Sequence, residues 1–232
     1  MPFFYYYDYT YIAIVLPVII FSLIIQARLK STYAKYSKIG NARQITGAQA
    51  AQMVLNYYGI YDVGIECVNG NLTDHYDPTQ KVIRLSENVY NNPSIAAVGV
   101  ACHEAGHAAQ HAQSYAPIKI RNSILPVCNI GSKLSIPLLL LGIVFSFEPL
   151  VWIGIGFFAF TSVFQIVTLP VEFNASNRAL KVIESNGLLT FEEKAGASKV
   201  LKMAAMTYVA ALAVSLAQLL RLIIRYGGRR RR

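Results

Sequence analysis

The chain has 232 residues, 54% of them hydrophobic, with 21 Lys and Arg against 12 Asp and Glu. That apolar content and a positive mean hydropathy exclude an ordinary soluble domain and point to a membrane protein. No basic stripe interleaved with polar base-reading residues occurs, which excludes nucleic acid as a partner and leaves membrane-flanking charge as the source of the basic excess. Cys67, Cys102 and Cys128 show no C-x-x-C spacing, so neither a disulfide framework nor a thiolate zinc site is suggested, and a reducing compartment fits.

Tyr9 to Ala27 is an uncharged stretch of 19 residues, long enough for a transmembrane helix that Pro17 can kink. Tyr5, Tyr6, Tyr7, Tyr9 and Tyr11 suit an aromatic belt at the headgroups. The basic residues follow this segment rather than precede it, so it reads as an uncleaved anchor and not a signal peptide. Arg28, Lys30, Lys35, Lys38 and Arg43 come after it and only Asp8 before it, which puts residue 28 onward in the cytoplasm. Thr46 to Gln49 opens an amphipathic helix with Ala50, Ala51, Val54 and Leu55 inward, ending near Tyr58-Gly59. Alternation at Val63, Ile65 and Val68, the turn Asp77-Pro78-Thr79-Gln80 and the run Val82 to Leu85 predict a small β-sheet with a hairpin at Pro78. Either Leu72 to Tyr76 or Val82 to Leu85 could present a sheet edge that holds an extended peptide. Asp74, His75 and Asp77 look like a metal cluster on paper, but alternate strand residues point to opposite faces, which favours a solvated turn.

The next element carries chemistry. Ala96 to Ala112 is an alanine-rich helix containing His103-Glu104-Ala105-Gly106-His107, the H-E-x-x-H pattern of zinc peptidases. Residues four apart share a helix face about 6 Å apart along the axis, so His103 and His107 can aim ring nitrogens at one zinc ion while Glu104 stands beside them as a general base. His111 continues the spacing, yet along an unbroken helix it lies roughly 12 Å from His103, and Ala108-Ala109-Gln110 offers no turn to bring it back. The third ligand must come from elsewhere. Cys102 points about 100° around the helix from His103 and reads as packing.

Leu134 to Phe147, lengthened if Lys133 snorkels, and Pro149 to Val171 read as two spans joined at Phe147-Glu148-Pro149. Two crossings return Glu172 to the side of His103 and His107, which makes it the candidate third ligand; Ser176, one turn on, could bring a hydroxyl to the same histidine. The alternative for Glu172 is a residue favoured by the helix dipole at the membrane interface. Thr190 to Glu193 is a capping box. Met203 to Leu220 could span, but Arg221, Arg225 and Arg229 to Arg232 would then lie outside, against the positive-inside rule, so a helix resting in the interface is equally open.

Three stretches carry a resemblance over nearly the whole chain: LTDHYDPTQKVIRLSENVY at Leu72 to Tyr90, AAVGVACHEAGHAAQHA at Ala96 to Ala112 and LPVEFNASNRAL at Leu169 to Leu180. Together they resemble bacterial membrane zinc metallopeptidases of the YugP type and, more distantly, the HtpX and CAAX-protease zincins. The wider group has Glu-x-x-Ala-Asp after a membrane hairpin, similar to Glu172 to Ser176 here with serine in place of aspartate. The resemblance implies Glu172 as third ligand and supplies no substrate.

These observations predict a mainly α membrane protein with a small β-sheet and a zincin-like, gluzincin-type core. Its parts are an anchor at 1–27, a cytoplasmic zincin-like part at 28–125, a membrane hairpin at 126–171, a ligand-bearing helix at 172–200, and an apolar helix with an Arg-rich tail at 201–232. The leading function is a multi-pass cell-membrane endopeptidase with a cytoplasmic site, in which His103, His107 and Glu172 hold Zn2+ and Glu104 activates water against membrane-protein or peptide substrates. Ser176, His75, Arg178 and Tyr208 are candidates for orienting a ligand or stabilising an oxyanion; Tyr76 is a further oxyanion candidate. Hydrolysis of a non-peptide amide shares every residue named. An inactive adaptor with a structural zinc would have no use for Glu104, which is not a ligand. The sequence leaves the oligomeric state open.

Overall fold

A computed structural model describes residues 8–70 and 73–227. Tyr5, Tyr6, Tyr7, Leu72 and Arg229 to Arg232 lie outside the described residues. The chain is mostly helical, in the order α1 (Leu16–Tyr36), α2 (Gly47–Tyr57), β1 (Gly64–Val68), β2 (His75–Asp77), β3 (Val82–Ser86), α3 (Glu87–Tyr90), α4 (Ile95–Ala112), α5 (Ala116–Val144), α6 (Glu148–Ser185) and α7 (Phe191–Gly227). It divides into two compact units: one made of Met1–Gln26, Ile120–Thr168 and Thr207–Arg232, the other of Ala27–Lys119 and Leu169–Met206.

The first unit contains the most apolar helical stretches. Among the described residues, four helices are long and apolar enough to cross a membrane: Tyr11–Tyr36, Ala116–Val144, Glu148–Ser185 and Phe191–Gly227. A π-helical turn at Tyr11–Val15 precedes α1. Pro17 can donate no amide hydrogen bond to Ala13, which accounts for a widened turn at this point. Helix α5 runs unbroken through Pro126 and Pro137, so its apolar length extends upstream of Lys133 rather than depending on that lysine's reach. In α6 the apolar stretch and the Glu172 segment form one helix of 38 residues with Pro170 inside it. Leu139, Val151, Ile155 and Leu222 form a small core where α5, α6 and α7 meet. At Gly142 and Gly154 an added Cβ would fall 2.7 Å from the Val151 amide nitrogen and 2.9 Å from that of Leu139, so the α5–α6 hairpin packs backbone against backbone. Asp8 Oδ2 accepts from Arg221 Nε at 2.9 Å and also pairs with Arg225. The start of the first apolar helix and the end of α7 therefore lie together.

In the second unit the sheet order is β1-β3-β2, with β1 parallel and β2 antiparallel to β3. The hairpin expected at Pro78 joins β2 to β3, and Asp77 Oδ1 accepts from the Thr79 and Gln80 amides to close it. β3 is paired on both sides, so Val82–Leu85 is not a sheet edge; the edges are β1 and β2. Ile83 and Leu85 are wholly buried against a core that includes Ala50, Ala51, Val54 and Leu55 of α2, Val98, Ala101 and Ala105 of α4, and Ala179 and Ile183 of α6. α2 begins with a capping box in which Thr46 and Gln49 satisfy each other's backbone amides, and its end is marked by Tyr58 and by Gly59 at φ 68°. Thr190 and Glu193 form the corresponding box at α7.

Small residues let α4 and α6 approach closely. A Cβ at Gly106 would lie 2.7 Å from the Ala175 carbonyl oxygen, inside contact distance. Gly106→Ala should therefore force the two helices apart and lower stability by about 1–3 kcal/mol. Gly156→Ala, whose Cβ would meet nothing within 4 Å, should leave the melting temperature in detergent nearly unchanged. Equal melting of both variants would contradict the close helix contact.

Candidate metal centre

Helix α4 is what four-residue spacing on alanines predicts, begun by Ser94, whose hydroxyl accepts from the Ala97 amide. His103 and His107 stand on its face one turn apart, rings 4.7 Å between centroids and nearly perpendicular. From α6, the buried carboxylate of Glu172 reaches both: its Oε2 lies 3.3 Å from His103 Nε2 and 3.7 Å from His107 Nε2. The three donor atoms are within 4.8 Å of one another, and this is the one such group among the described residues.

The donor set fits zinc. Ligand bonds of about 2.0–2.2 Å on a tetrahedron place neighbouring donors about 3.3–3.6 Å apart, close to the spacing here. Two imidazoles and one carboxylate leave a fourth position for water or substrate. The electrostatics favour a cation as well. Burial opposes a charge on His107, but Glu172 beside it, the Glu104 carboxylate and the Gln110 amide oxygen outweigh burial and hold its proton affinity above the ordinary imidazole value.

Hydrogen bonds behind the rings fix which nitrogen faces the centre. His107 Nδ1 lies 3.0 Å from Gln110 Oε1 and His103 Nδ1 lies 3.1 Å from Ser176 Oγ, so each ring is held at Nδ1 and turns Nε2 to Glu172. The Ser176 hydroxyl thus reaches the His103 ring from α6. Gln110 was not legible as part of the site. Its trace in the sequence is an amide three residues after His107, on the helix face of His103, Gly106 and His107, and it is wholly buried. Asn174 was missed too: its Oδ1 accepts from Gln110 Nε2 at 3.0 Å and from Arg178 Nε at 2.7 Å.

The remaining candidates are distributed as follows. Glu104 is half-buried on α4 next to His103. His75 is exposed at the start of β2 with its Nδ1 2.7 Å from the Thr73 carbonyl oxygen. Asp74 accepts from the Ser86 amide and hydroxyl, and Asp77 closes the β2–β3 turn and pairs with Arg84, so Asp74, His75 and Asp77 do not converge. Tyr76, the other oxyanion candidate, and His111 stack edge to face at 5.7 Å. Arg178 is engaged by Asn174 and Gln113 and lies over the Tyr58 and Tyr115 rings. Tyr208 is half-buried on α7, in the first unit. Cys102 is buried against α2, and burial pushes its thiol far above the ordinary range, in keeping with packing.

Four helices apolar enough to cross a membrane and two histidines and a glutamate close enough to share a metal ion are what a membrane metallopeptidase would need, and comparison with known proteins gives that class. Residues 11–227 match the model of a family described as "Putative neutral zinc metallopeptidase". The chain is 48% identical over 199 residues to the Bacillus subtilis (strain 168) protein described as "Putative membrane protease YugP", an alignment covering 86% of this chain and 88% of that protein. No solved structure matches. The chain belongs to this zinc metallopeptidase family, and zinc is the metal that the family implies.

His107→Ala and Glu172→Ala should each reduce bound zinc, measured by elemental analysis of detergent-purified protein, from about one equivalent to well below it, since each removes one of the three candidate donors. Stoichiometric zinc in Glu172→Ala would remove that residue from the centre.

Proposed function

We propose that this protein is a membrane-embedded zinc endopeptidase with a gluzincin-type site, in which His103, His107 and Glu172 hold the metal and Glu104 is the general base. The observation that carries the reading is the convergence of Glu172 Oε2 on the two Nε2 atoms at 3.3 and 3.7 Å. When bound, zinc supplies Lewis-acid polarisation of a peptide carbonyl and of water. Glu104, adjacent to His103 yet outside the three-donor set, takes the proton from the attacking water and returns it to the leaving nitrogen as the C–N bond breaks. Ser176 and Gln110 keep the two rings in the tautomer that presents Nε2. β2, at the sheet edge and packed on α4, offers main-chain groups to an extended substrate strand. Substrates are membrane proteins or peptides close to the membrane.

The site faces the cytoplasm in this reading, and all four apolar helices cross the membrane. Crossing by α7 is supported by Asp8, which meets Arg221 and Arg225 and so brings the end of α7 to the side where the first helix starts. The same pairing offsets part of the charge that counts against placing these arginines outside. Arg28, Lys30, Lys35, Lys38 and Arg43 support a cytoplasmic location for the opposite ends.

Two experiments test the two halves of the proposal. Glu104→Gln should retain zinc and fold while turnover of a reconstituted membrane-protein substrate falls by about 10²–10⁴-fold; undiminished cleavage would remove Glu104 from the mechanism. For topology, single cysteines at Lys35, Asn186 and Tyr226 are introduced into a chain whose exposed Cys67 is replaced by serine. An impermeant thiol reagent should label intact cells at position 226 alone. Labelling at 35 or 186 would reverse the orientation, and shielding of all three would deny the α7 crossing.

A further inference from the structure

Behind His107 lies a hydrogen-bonded chain that ends on a guanidinium. Arg178 Nε donates to Asn174 Oδ1 at 2.7 Å, Gln110 Nε2 donates to the same oxygen at 3.0 Å and to the Val171 carbonyl at 2.8 Å, and His107 Nδ1 lies 3.0 Å from Gln110 Oε1. Arg178 is itself held on several sides. Its Nη1 donates to Gln113 Oε1 at 2.5 Å, and its guanidinium lies over the rings of Tyr58 at 5.7 Å and Tyr115 at 5.9 Å.

The direction of this chain is forced by chemistry at its far end. A guanidinium has five N–H groups and nothing that accepts, and it does not deprotonate in proteins. Asn174 must therefore turn its oxygen, not its amide nitrogen, toward Arg178. That same oxygen is then what Gln110 meets, so Gln110 must present its NH₂. The Val171 carbonyl, also an acceptor only, demands the other proton of that NH₂. With both protons committed, the Gln110 oxygen is left facing His107, and the ring can satisfy it only with a protonated Nδ1. Nε2 then carries the lone pair that a metal needs.

We infer that Arg178 is a positioning residue that sets the tautomer of His107 through Asn174 and Gln110, and so tunes zinc affinity without touching the metal. This rests on the proposed ligand role of His107 and replaces the oxyanion role open to Arg178 from sequence. The side chain at 174 needs only to accept, whereas the one at 110 must both donate and accept. A packing role for Arg178 would make no such distinction between substitutions.

The test is zinc affinity of the detergent-purified full chain by competition with a chelator, with the melting temperature of each zinc-free variant as control for folding. Arg178→Met and Asn174→Ala should raise the zinc Kd about tenfold or more, the range seen for partners of ligating histidines. Asn174→Asp, which can accept from both neighbours, should stay within about threefold of wild type by the same standard. Wild-type affinity in Arg178→Met or Asn174→Ala, or equal losses in Asn174→Asp and Asn174→Ala, would overturn the inference. If Arg178→Met does not survive purification, the Asn174 pair decides alone. His107→Ala in the same assay separates the two levels: full zinc retention there removes the ligand reading itself, whereas zinc loss there with normal affinity in Arg178→Met removes only the role of Arg178.

Discussion

The close approach of α4 and α6 is the constraint on which the site depends. Glycine at 106 removes the one side-chain atom that would strike the Ala175 backbone, and the consequence one turn either side is that Glu172 can meet the two histidines and Ser176 can meet His103. A carboxylate side chain spans only a few ångströms, so a helix separation larger by one methyl group would pull its oxygen out of the donor triangle. The alanines at 101, 105, 108 and 109 on α4 and at 175 and 179 on α6 are all buried. The alanine-rich composition that makes α4 a good helix also allows it to be a near neighbour.

Buried polar groups are then used economically. The groups behind the imidazole Nε2 atoms are paired: His103 with Ser176, His107 with Gln110, and Gln110 onward with Val171 and Asn174. An unmatched amide at a wholly buried glutamine would cost about 1–3 kcal/mol, so the network resists rearrangement as well as orienting the rings. In the first unit the comparable feature is Asp8, shared by two arginines that follow it by more than 200 residues. It ties the start of the first apolar helix to the end of α7.

Much of this was legible in the sequence, for identifiable reasons. That His103 and His107 share a face follows from helical spacing alone, and that Glu172 meets them was reached by counting apolar segments, because both rules are local or one-dimensional. The β2–β3 hairpin followed from Asp77 and Pro78. What escaped was nonlocal. The parallel pairing of β1 with β3 needs a crossover that hairpin reasoning never proposes. The Asp8–Arg221 contact joins ends that no periodicity relates, which is why the fate of α7 stayed open. Hydropathy divided α6 at Val171, where the helix itself does not stop, since polarity changes there and backbone geometry does not. Gln110 and Asn174 were invisible because their importance lies in which atom of each amide faces which neighbour.

The central claim is that one zinc ion sits between α4 and α6 on two imidazoles and one carboxylate. An experimental structure of the purified chain with anomalous scattering recorded at the zinc edge tests it most directly. The account predicts a single peak within about 2.0–2.2 Å of His103 Nε2, His107 Nε2 and a Glu172 carboxylate oxygen. A peak bound by the two histidines with Glu172 turned away, or a third protein ligand from any other residue, would contradict it.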